Sequence, residues 1–232
     1  MATILGRPSE GAHFREICDA VSALTTRPVV FRAHRHRPPP GSIIYHWENN
    51  PLLKHLERSA AIWDFSSSNV ARYPARLRPK VLHVPCGHHP SMERRFPAST
   101  GERFDIAWFG SLNDRRRKLL SALRSRGLSV VVLPVLFGSA RDEILSRARL
   151  LLNVRYYESG VFPVLRSAHA AANLLPCLAE ISPEMPSWVL ERVTYERVTA
   201  RAVELLRNPD ALAKLAKDTL TAFRACPLRL PP

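Results

Sequence analysis

Residues 104–123, "FDIAWFGSLNDRRRKLLSAL", decide the fold class of this chain. An apolar run typical of a buried parallel strand leads into Gly110, and Asn113 follows as a common helix N-cap. The spacing therefore predicts a strand, a glycine turn and a helix whose first turn carries three consecutive arginines. In such a unit, free N–H groups and the positive end of the helix dipole point to one place, where a phosphate group can bind. The same arginines could equally line a solvated helix face, and the spacing leaves both interpretations open.

The charge of the chain indicates an anionic partner. The chain has 232 residues and a formal net charge of +14, and only five of its 34 lysines and arginines are lysines. Arginine is suited to planar, bidentate recognition of phosphate. Nucleotides, nucleic acid and acidic surfaces are all compatible with this balance, and an arginine-rich composition can also reflect genome base composition.

The cysteines and the hydropathy pattern argue against several classes of protein. The four cysteines, at positions 18, 86, 177 and 226, form no CxxC pair, so we expect neither a zinc site nor a redox pair. We expect free, mostly buried thiols in a reducing compartment, and no metal. No run approaches the ~18 apolar residues of a membrane span, and the N-terminus has no long apolar segment, so we predict a soluble, cytoplasmic protein.

Short apolar runs alternate with helix-like stretches along the chain, which is typical of a doubly wound α/β fold. The predicted strands are residues 29–32, 42–46, 61–65, 81–84, 105–109, 129–134, 149–154 and 175–179. The predicted helices are residues 12–24, 51–58, 68–72, 114–126, 141–147, 161–172, 195–207 and 209–223. Residues 85–103 lack periodicity and are rich in Pro, Gly, Ser and charge, which indicates a linker. We therefore predict a short N-terminal half, residues 1–98, and a C-terminal half, residues 99–232, whose final residues "CPLRLPP" fray.

Polar residues at the ends of the predicted strands form the candidate site. In open parallel sheets, ligands bind outside the carboxyl ends of the strands. Asn153 ends a buried strand, and residues 153–158, which include Arg155 and Glu158, lie in the right place for a sugar or nucleotide. Glu180 follows the next strand, where a carboxylate can accept hydrogen bonds from ribose. Arg141 and Arg166 lie on the helices that precede these two strands. Each residue also has an ordinary structural interpretation, as a turn former, a loop acid or a solvated base.

The N-terminal half offers a candidate general base. His46 ends a strand close to Glu48, and Asp64 lies at the end of the next strand. A histidine beside a carboxylate can accept a proton from a reacting hydroxyl. A single histidine near a strand end is also often structural, and the sequence does not choose between the two.

Several stretches of the chain, taken in order, resemble bacterial glycosyltransferase family 1-like proteins of the GT-B type. They are "SIIYHWEN", "IWDFSSSNV", "VLHVPCGHHP", "FDIAWFGSLNDRR", "FGSARDEILSRARLLLNVRYYESGVF" and "LRSAHAAANLLPCLAE". The resemblance covers residues 41–180 and extends more faintly through the closing helices. It implies an α/β fold of two Rossmann-like halves, with a reduced N-terminal half and a C-terminal helical tail. It also implies a metal-independent glycosyltransferase that moves a sugar from a nucleotide-diphosphate sugar to an acceptor, with the donor as substrate and no cofactor.

The resemblance further implies which residues meet the donor. The residues expected to bind the nucleotide sugar are Gly110, Ser111, Asn113, Arg115, Arg116, Arg141, Asn153, Glu158, Arg166 and Glu180. A metal-free transferase needs cations and dipoles to stabilise the leaving diphosphate, and these arginines meet that need. Our candidate catalytic residues are Arg116, at the phosphates, and His46 with Glu48, on the acceptor side.

The chain departs from the resemblance at Pro163. Similar proteins usually carry a glutamate there, which is expected to hold the donor, whereas proline suits only the start of a helix. One alternative is therefore a catalytically degenerate member that binds a nucleotide sugar or a protein partner without turnover. A second is a basic nucleic-acid-binding protein, although the arginines are scattered rather than clustered with aromatic residues. The acceptor could be a glycan, a protein or a nucleic acid, and a peripheral contact with an anionic surface is a further expectation.

Overall fold

The computed structural model of the chain describes residues 2–4, 15–31, 38–47, 56–94, 96–97, 101–133, 136–158 and 161–232. The chain forms two compact units. The first consists of Met1–Met92 together with Pro227–Pro232, and the second is Glu93–Cys226. The predicted boundary between residues 98 and 99 falls a few residues further along the chain. What each half binds stays a prediction.

The first unit is built on a parallel sheet whose strands follow chain order, β1-β2-β3-β4-β5. The strands are β1 (Ala2–Ile4), β2 (Val29–Phe31), β3 (Ile43–His46), β4 (Ala61–Asp64) and β5 (Val81–His83), and the described helices are α1 (Arg15–Leu24) and α2 (Ser67–Arg72). One face of the sheet packs Val30, Ile44 and Ile62 in a buried cluster. Strands β3 and β4 end side by side, so His46 stands beside Asp64 in the register.

The second unit is built on a parallel sheet in the order β10-β9-β8-β6-β7. The strands are β6 (Phe104–Phe109), β7 (Val130–Leu133), β8 (Ala148–Asn153), β9 (Cys177–Glu180) and β10 (Arg192–Val193), and the helices are α3 (Asp114–Arg124), α4 (Gly138–Leu145), α5 (Val164–Ala172), α6 (Val198–Leu206) and α7 (Pro209–Arg224). Alternate residues face opposite sides of the sheet. Ile106 faces a core shared with α3 and α6, whereas Ala107 faces a core shared with α4 and α5.

The strand order of the second unit creates a crevice. From β6 the chain moves outward to β7, and it then returns to β8 on the other side of β6. The connections after β6 and β8 therefore leave the sheet in opposite directions. Ligands of open parallel sheets bind at the carboxyl ends of the strands at such a switch point. The segments after Phe109 and after Asn153 line this position.

The chain ends with the predicted helical tail and then returns to the first unit. Helix α6 lies against β8 and β9, and α7 packs on α5 and α6. Beyond α7, the Leu228 N–H donates to the carbonyl of His88 at 2.7 Å. The side chain of Leu228 is buried. The final segment is thus attached at this point, and the fraying that we predicted is not seen there.

The predicted elements are largely confirmed. All eight predicted strands are present as β2 to β9, with bounds that shift by one or two residues. Helix α4 begins at Gly138 and α5 at Val164, so Pro163 is the N-cap of α5 rather than a residue of its first turn. The short strands β1 and β10 were missed. Of the predicted helix at residues 51–58, residues 51–55 lie outside the described part of the chain, and residues 56–58 are not helical.

The cysteines behave as the sequence predicted. All four lie within the described residues, where none of them forms a disulfide, and Cys18, Cys86 and Cys177 are buried. Within the described ranges, no helix combines the length and the apolar character that crossing a membrane requires.

Candidate functional site

Gly110 opens the candidate site at the carboxyl end of β6. It has a φ of +109°, a backbone conformation that favours glycine. A Cβ atom at this position would lie 2.5 Å from Nη2 of Arg166. The glycine therefore allows both the turn and the close approach of a guanidinium group to the main chain.

Asn113 caps helix α3, as the sequence predicted. Its side-chain oxygen accepts the N–H of Arg116 at 3.0 Å. Its amide nitrogen donates to the carbonyl of Tyr156 at 2.6 Å, so the cap also ties α3 to the segment after β8. Ser111 lies exposed between Gly110 and the cap. Contacts of these residues with a donor stay predictions.

Arg116 is buried and connects the segment after β6 with the segment after β8. Only 3% of the residue is exposed. Its guanidinium donates to the carbonyls of Ser111 and Arg155, at 2.7 and 3.2 Å, and to that of Val154. Burial lowers its pKa to about 10, so it remains a cation at neutral pH. We predicted Arg116 as the first phosphate ligand and as a catalytic residue; the geometry favours a positioning role.

Glu180 lies at the centre of a buried ion cluster. It ends β9 with 1% of the residue exposed. Nη1 and Nη2 of Arg115 donate to its two oxygens at 2.9 and 2.6 Å. Arg155 donates its main-chain N–H at 3.0 Å, Nε at 3.2 Å and Nη2 at 2.8 Å. Burial alone would raise the pKa of Glu180, but the hydrogen bonds from Arg115 and Arg155 outweigh it and hold the pKa below the usual value.

Arg115 is held on its other side by an aromatic ring. Its guanidinium carbon lies 3.6 Å from the ring centre of Tyr195, and the Tyr195 hydroxyl donates to the Arg115 carbonyl at 2.7 Å. Glu158 lies at the exposed rim, with a carboxylate oxygen 4.0 Å from Nε of Arg115. The predicted sugar-facing residue is thus near the arginines but solvated.

Arg166 has unused hydrogen-bonding capacity. Its Nη1 donates to Oδ1 of Asn153 at 2.9 Å, and among the described residues its buried Nε has no hydrogen-bond partner. The guanidinium lies over the rings of Trp108 and Phe109, 5.1 and 5.4 Å from their centres. Burial, and then the charge of Arg116, lowers its pKa to about 9, which still leaves it charged at neutral pH.

Asn153 fixes the direction of Arg166. Its amide nitrogen donates to the carbonyl of Pro163 at 3.0 Å and to Oγ of Ser167 at 2.7 Å. The amide oxygen is therefore the atom turned towards the guanidinium. Asn153 is fully buried, so in this structure it orients an arginine, and the sugar contact that we predicted for it stays a prediction.

Arg141 belongs to a separate buried cluster. Its Nε and Nη2 donate to Oδ1 of Asp142 at 3.0 and 2.9 Å. Nε2 of His169 lies 2.9 Å from the same oxygen, and its Nδ1 lies 3.4 Å from Nη2 of Arg141. Arg141 is 2% exposed and ion-paired with Asp142, and the diphosphate contact that we predicted for it stays a prediction.

The predicted acceptor-side residues lie in the first unit. His46 is buried at the end of β3. The neighbouring Asp64 accepts the N–H of Ser66 at 2.9 Å and the hydroxyl of Tyr73 at 3.0 Å, so it stabilises the start of α2. Glu48 lies outside the described residues. A general base at this position stays a prediction.

Three residues of the site had no individual role in the prediction, although Arg155 lies in the predicted segment 153–158. Arg155 holds Glu180, Tyr195 stacks on Arg115, and Trp108 lies beneath two guanidinium groups. The signal for Arg155 was available, since it lies two residues after the strand end at Asn153. Nothing in the sequence pairs Tyr195 with Arg115.

Comparison by sequence finds relatives that are themselves uncharacterised. No protein-family profile matches the chain. The chain is 27% identical over 184 residues to Uncharacterized protein L140 of Acanthamoeba polyphaga mimivirus, which covers 75% of this chain and 60% of L140. It is 25% identical over 166 residues to Uncharacterized protein L137 of the same virus, 67% of this chain and 22% of L137. The chain thus spans less than two thirds of either relative. Because both are viral, they do not support the bacterial origin that we expected.

Comparison by structure identifies the fold. TarM superposes with a TM-score of 0.55 at 7% identity, over 84% of this chain and 51% of TarM. AviGT4, a glycosyltransferase involved in avilamycin A biosynthesis, gives 0.54 at 15% identity, over 95% and 76%. Sucrose-phosphate synthase from Thermosynechococcus elongatus gives 0.53 at 9% identity, over 95% and 75%. This chain has the GT-B fold. At such low sequence identities, the similarity to these three proteins concerns the fold alone.

Proposed function

We propose that this GT-B chain is a glycosyltransferase that uses a nucleotide-diphosphate sugar, without a metal ion, and binds the donor in its second unit. The fold supports the class of activity, since AviGT4 is a glycosyltransferase of the same fold. The acceptor is proposed to meet the first unit. Fold likeness alone does not decide activity, so the proposal depends on the chemistry of the crevice.

Arg166 is the observation that carries the proposal. Arg166 is partly buried, and its buried Nε, which has no partner among the described residues, leaves a charge-assisted hydrogen bond unmade at the switch point of the sheet. An unpaired donor of this kind is costly unless a ligand satisfies it. Because Gly110 has no side chain, the guanidinium of Arg166 can lie close to the main chain there. A phosphate oxygen is the acceptor that fits a planar, cationic donor at this place.

The surrounding charges fit a leaving diphosphate. In the transfer step, the bond between the anomeric carbon and the diphosphate oxygen breaks and negative charge develops on that oxygen. Fixed cations aimed at the developing charge stabilise the transition state. Arg115 and Arg155 pair with the buried carboxylate of Glu180, whereas Arg116 and Arg166 bind neutral oxygens of Val154 and Asn153. The excess of positive charge complements a nucleoside diphosphate.

The proposal is tested by donor binding and turnover with an Arg166→Gln variant. Titration calorimetry with a panel of nucleotide-diphosphate sugars and nucleoside diphosphates should find at least one ligand for the unaltered protein. Arg166→Gln should weaken that binding by roughly ten- to a hundredfold, because a hydrogen bond to a charged group is lost. Nucleoside diphosphate release in the presence of candidate acceptors measures turnover.

Arg201→Gln is the matched control. Arg201 also lies in the second unit, where it pairs with Glu191 and Glu204, but it does not belong to the crevice. Its loss should leave donor affinity unchanged. If no member of the panel binds the unaltered protein, or if both variants weaken binding alike, the proposal is wrong.

A second candidate, binding of a nucleotide sugar without turnover, is supported by Pro163. The residue caps α5 with no side-chain hydrogen bond, at the place where similar proteins usually carry a donor-holding glutamate. Its carbonyl accepts from Asn153 instead. Donor binding with no diphosphate release against any acceptor would select this candidate over the transferase.

A further inference from the structure

The buried carboxylate of Glu180 occupies two arginines in the way that a phosphate group would. Its two oxygens accept the two terminal nitrogens of Arg115, and Oε1 also accepts both Nε and Nη2 of Arg155. Planar, bidentate contacts of this kind are how arginine binds carboxylate and phosphate alike. The same donors therefore serve an internal anion here and could serve an external one.

This cluster differs from an ordinary surface ion pair. The side chains of Arg115 and Arg155 are each 16% exposed, and that of Glu180 is 1% exposed, so the arginines lie between the carboxylate and solvent. The Arg201–Glu191 pair is a fork of the same kind elsewhere in the unit, with 34% and 17% of its side chains exposed. At Glu180 the buried partner is the anion, and the cations form the accessible layer.

We propose that Glu180 is an internal counter-anion that a phosphate group of the nucleotide displaces from Arg115 and Arg155, so that these two arginines form a second phosphate subsite in the crevice of Arg166. This inference rests on the proposed function. It replaces the ribose contact that we expected for Glu180. It also adds Arg155 to the residues that touch the donor.

The exchange leaves one oxygen of Glu180 with a partner, whereas Oε1 gives up its contacts with the two arginines. When the guanidinium groups turn to the phosphate, Glu180 keeps the main-chain N–H of Arg155, which lies 3.0 Å away. Arg115 keeps the ring of Tyr195 beneath it. A diphosphate carries more negative charge than one carboxylate, so it competes effectively for the same cations. Until a ligand arrives, Glu180 keeps the arginines ordered and pointed towards one place.

A Glu180→Gln variant tests the exchange. Its amide removes the competing charge while keeping the size of the side chain. Calorimetry with UDP, GDP and ADP should show binding tighter than that of the unaltered protein by roughly five- to a hundredfold, the usual range for a coupling between two competing contacts. Glu191→Gln weakens the comparable ion pair with Arg201. This control variant should leave nucleotide affinity unchanged. Weaker or unchanged binding by Glu180→Gln would overturn the inference, since a ribose acceptor or a mere structural anchor predicts that result.

A crystal structure of the unaltered protein soaked with the same nucleotide covers the case in which Glu180→Gln fails to fold. At least one guanidinium of the pair should have moved from Glu180 to a phosphate oxygen. If both remain on Glu180 beside a bound nucleotide, the inference is wrong and the proposed function stands. If the unaltered protein binds no nucleotide, the proposed function is wrong, and the inference that rests on it is wrong as well.

Discussion

Arginine has three different uses within a few residues of Gly110. The guanidinium of Arg116 donates hydrogen bonds to main-chain carbonyls. That of Arg115 donates to the carboxylate of Glu180. Arg117 is exposed and pairs with Asp114. Consecutive residues of a helix point about 100° apart, so three neighbours cannot share one role. The two interpretations of this arginine run, a solvated face and an anion site, each hold for part of it.

Replacing Gly110 with alanine should separate backbone strain from loss of the site. Alanine at Gly110 would have to accept a φ of +109°, and its Cβ would displace the guanidinium of Arg166. The free energy of unfolding should fall by about 1 kcal/mol from the backbone, and donor affinity should fall as well. Urea denaturation and calorimetry measure the two effects.

Gly127→Ala is the control for this change. Gly127 has a φ of +79° and open space around the added Cβ. It should lose a comparable free energy of unfolding while keeping donor affinity. Equal affinities for Gly110→Ala and Gly127→Ala would show that the approach of Arg166 to Gly110 has no part in binding.

The strands that the sequence predicts best are those buried on both faces. The runs that form β6 and β8 are apolar at nearly every position, because helices cover both sides of the sheet. Strand β10 has only two residues, Arg192 and Val193, and pairs along one edge of the sheet. A pair of residues carries no periodicity, so hydrophobic patterning cannot find it.

The site could be predicted in its parts but not in its connections. The strand-end rule located Asn153 and Glu180, and the helix start located Arg115. The contact that decides the role of Arg115 is with Glu180, 65 residues away in sequence. Spacing describes neighbours on one element, whereas this contact depends on how β9 and α3 pack. The sequence therefore predicts an anion site without revealing that an internal anion fills part of it.

In the turn between α5 and β9, a leucine adopts a backbone conformation that is unfavourable for residues other than glycine. Leu174 has a φ of +56° and is 51% exposed. An exposed leucine side chain makes few packing contacts there. Its Cβ makes the left-handed backbone conformation sterically unfavourable, whereas glycine has no Cβ and adopts this conformation readily. Leu174→Gly should therefore be more stable than Leu174→Ala by about 1 kcal/mol, although both lose the same side chain. Thermal denaturation of the two variants makes the comparison, and a more stable alanine variant would contradict it.

The whole molecule is not two consecutive domains. The first unit combines the start of the chain with Pro227–Pro232, and the second unit is inserted between these parts. Leu228 makes the connection: it pairs with His88, and a Cβ added to Gly87 would lie 2.5 Å from its main-chain nitrogen. The glycine thus lets the final segment lie directly against the chain that follows β5.

Leu228→Ala should loosen the first unit. Removing a buried leucine side chain should lower the free energy of unfolding by about 2 kcal/mol. Hydrogen exchange should accelerate along β5 and at the Leu228 amide, while the amides of β6 and β8 stay protected. Leu24→Ala is the control, because Leu24 is 43% exposed in the same unit. Faster exchange in both units, or in neither, would count against this assignment.

The return of the chain to the first unit also imposes an order on synthesis. Domains usually fold one after another as they leave the ribosome, with the N-terminal domain first. Here the segment Pro227–Pro232 emerges only after all of Glu93–Cys226. The nascent first unit therefore lacks Pro227–Pro232 while the second unit is being synthesised. An early stop within α7 would release a second unit nearly complete in sequence beside a first unit that lacks Pro227–Pro232.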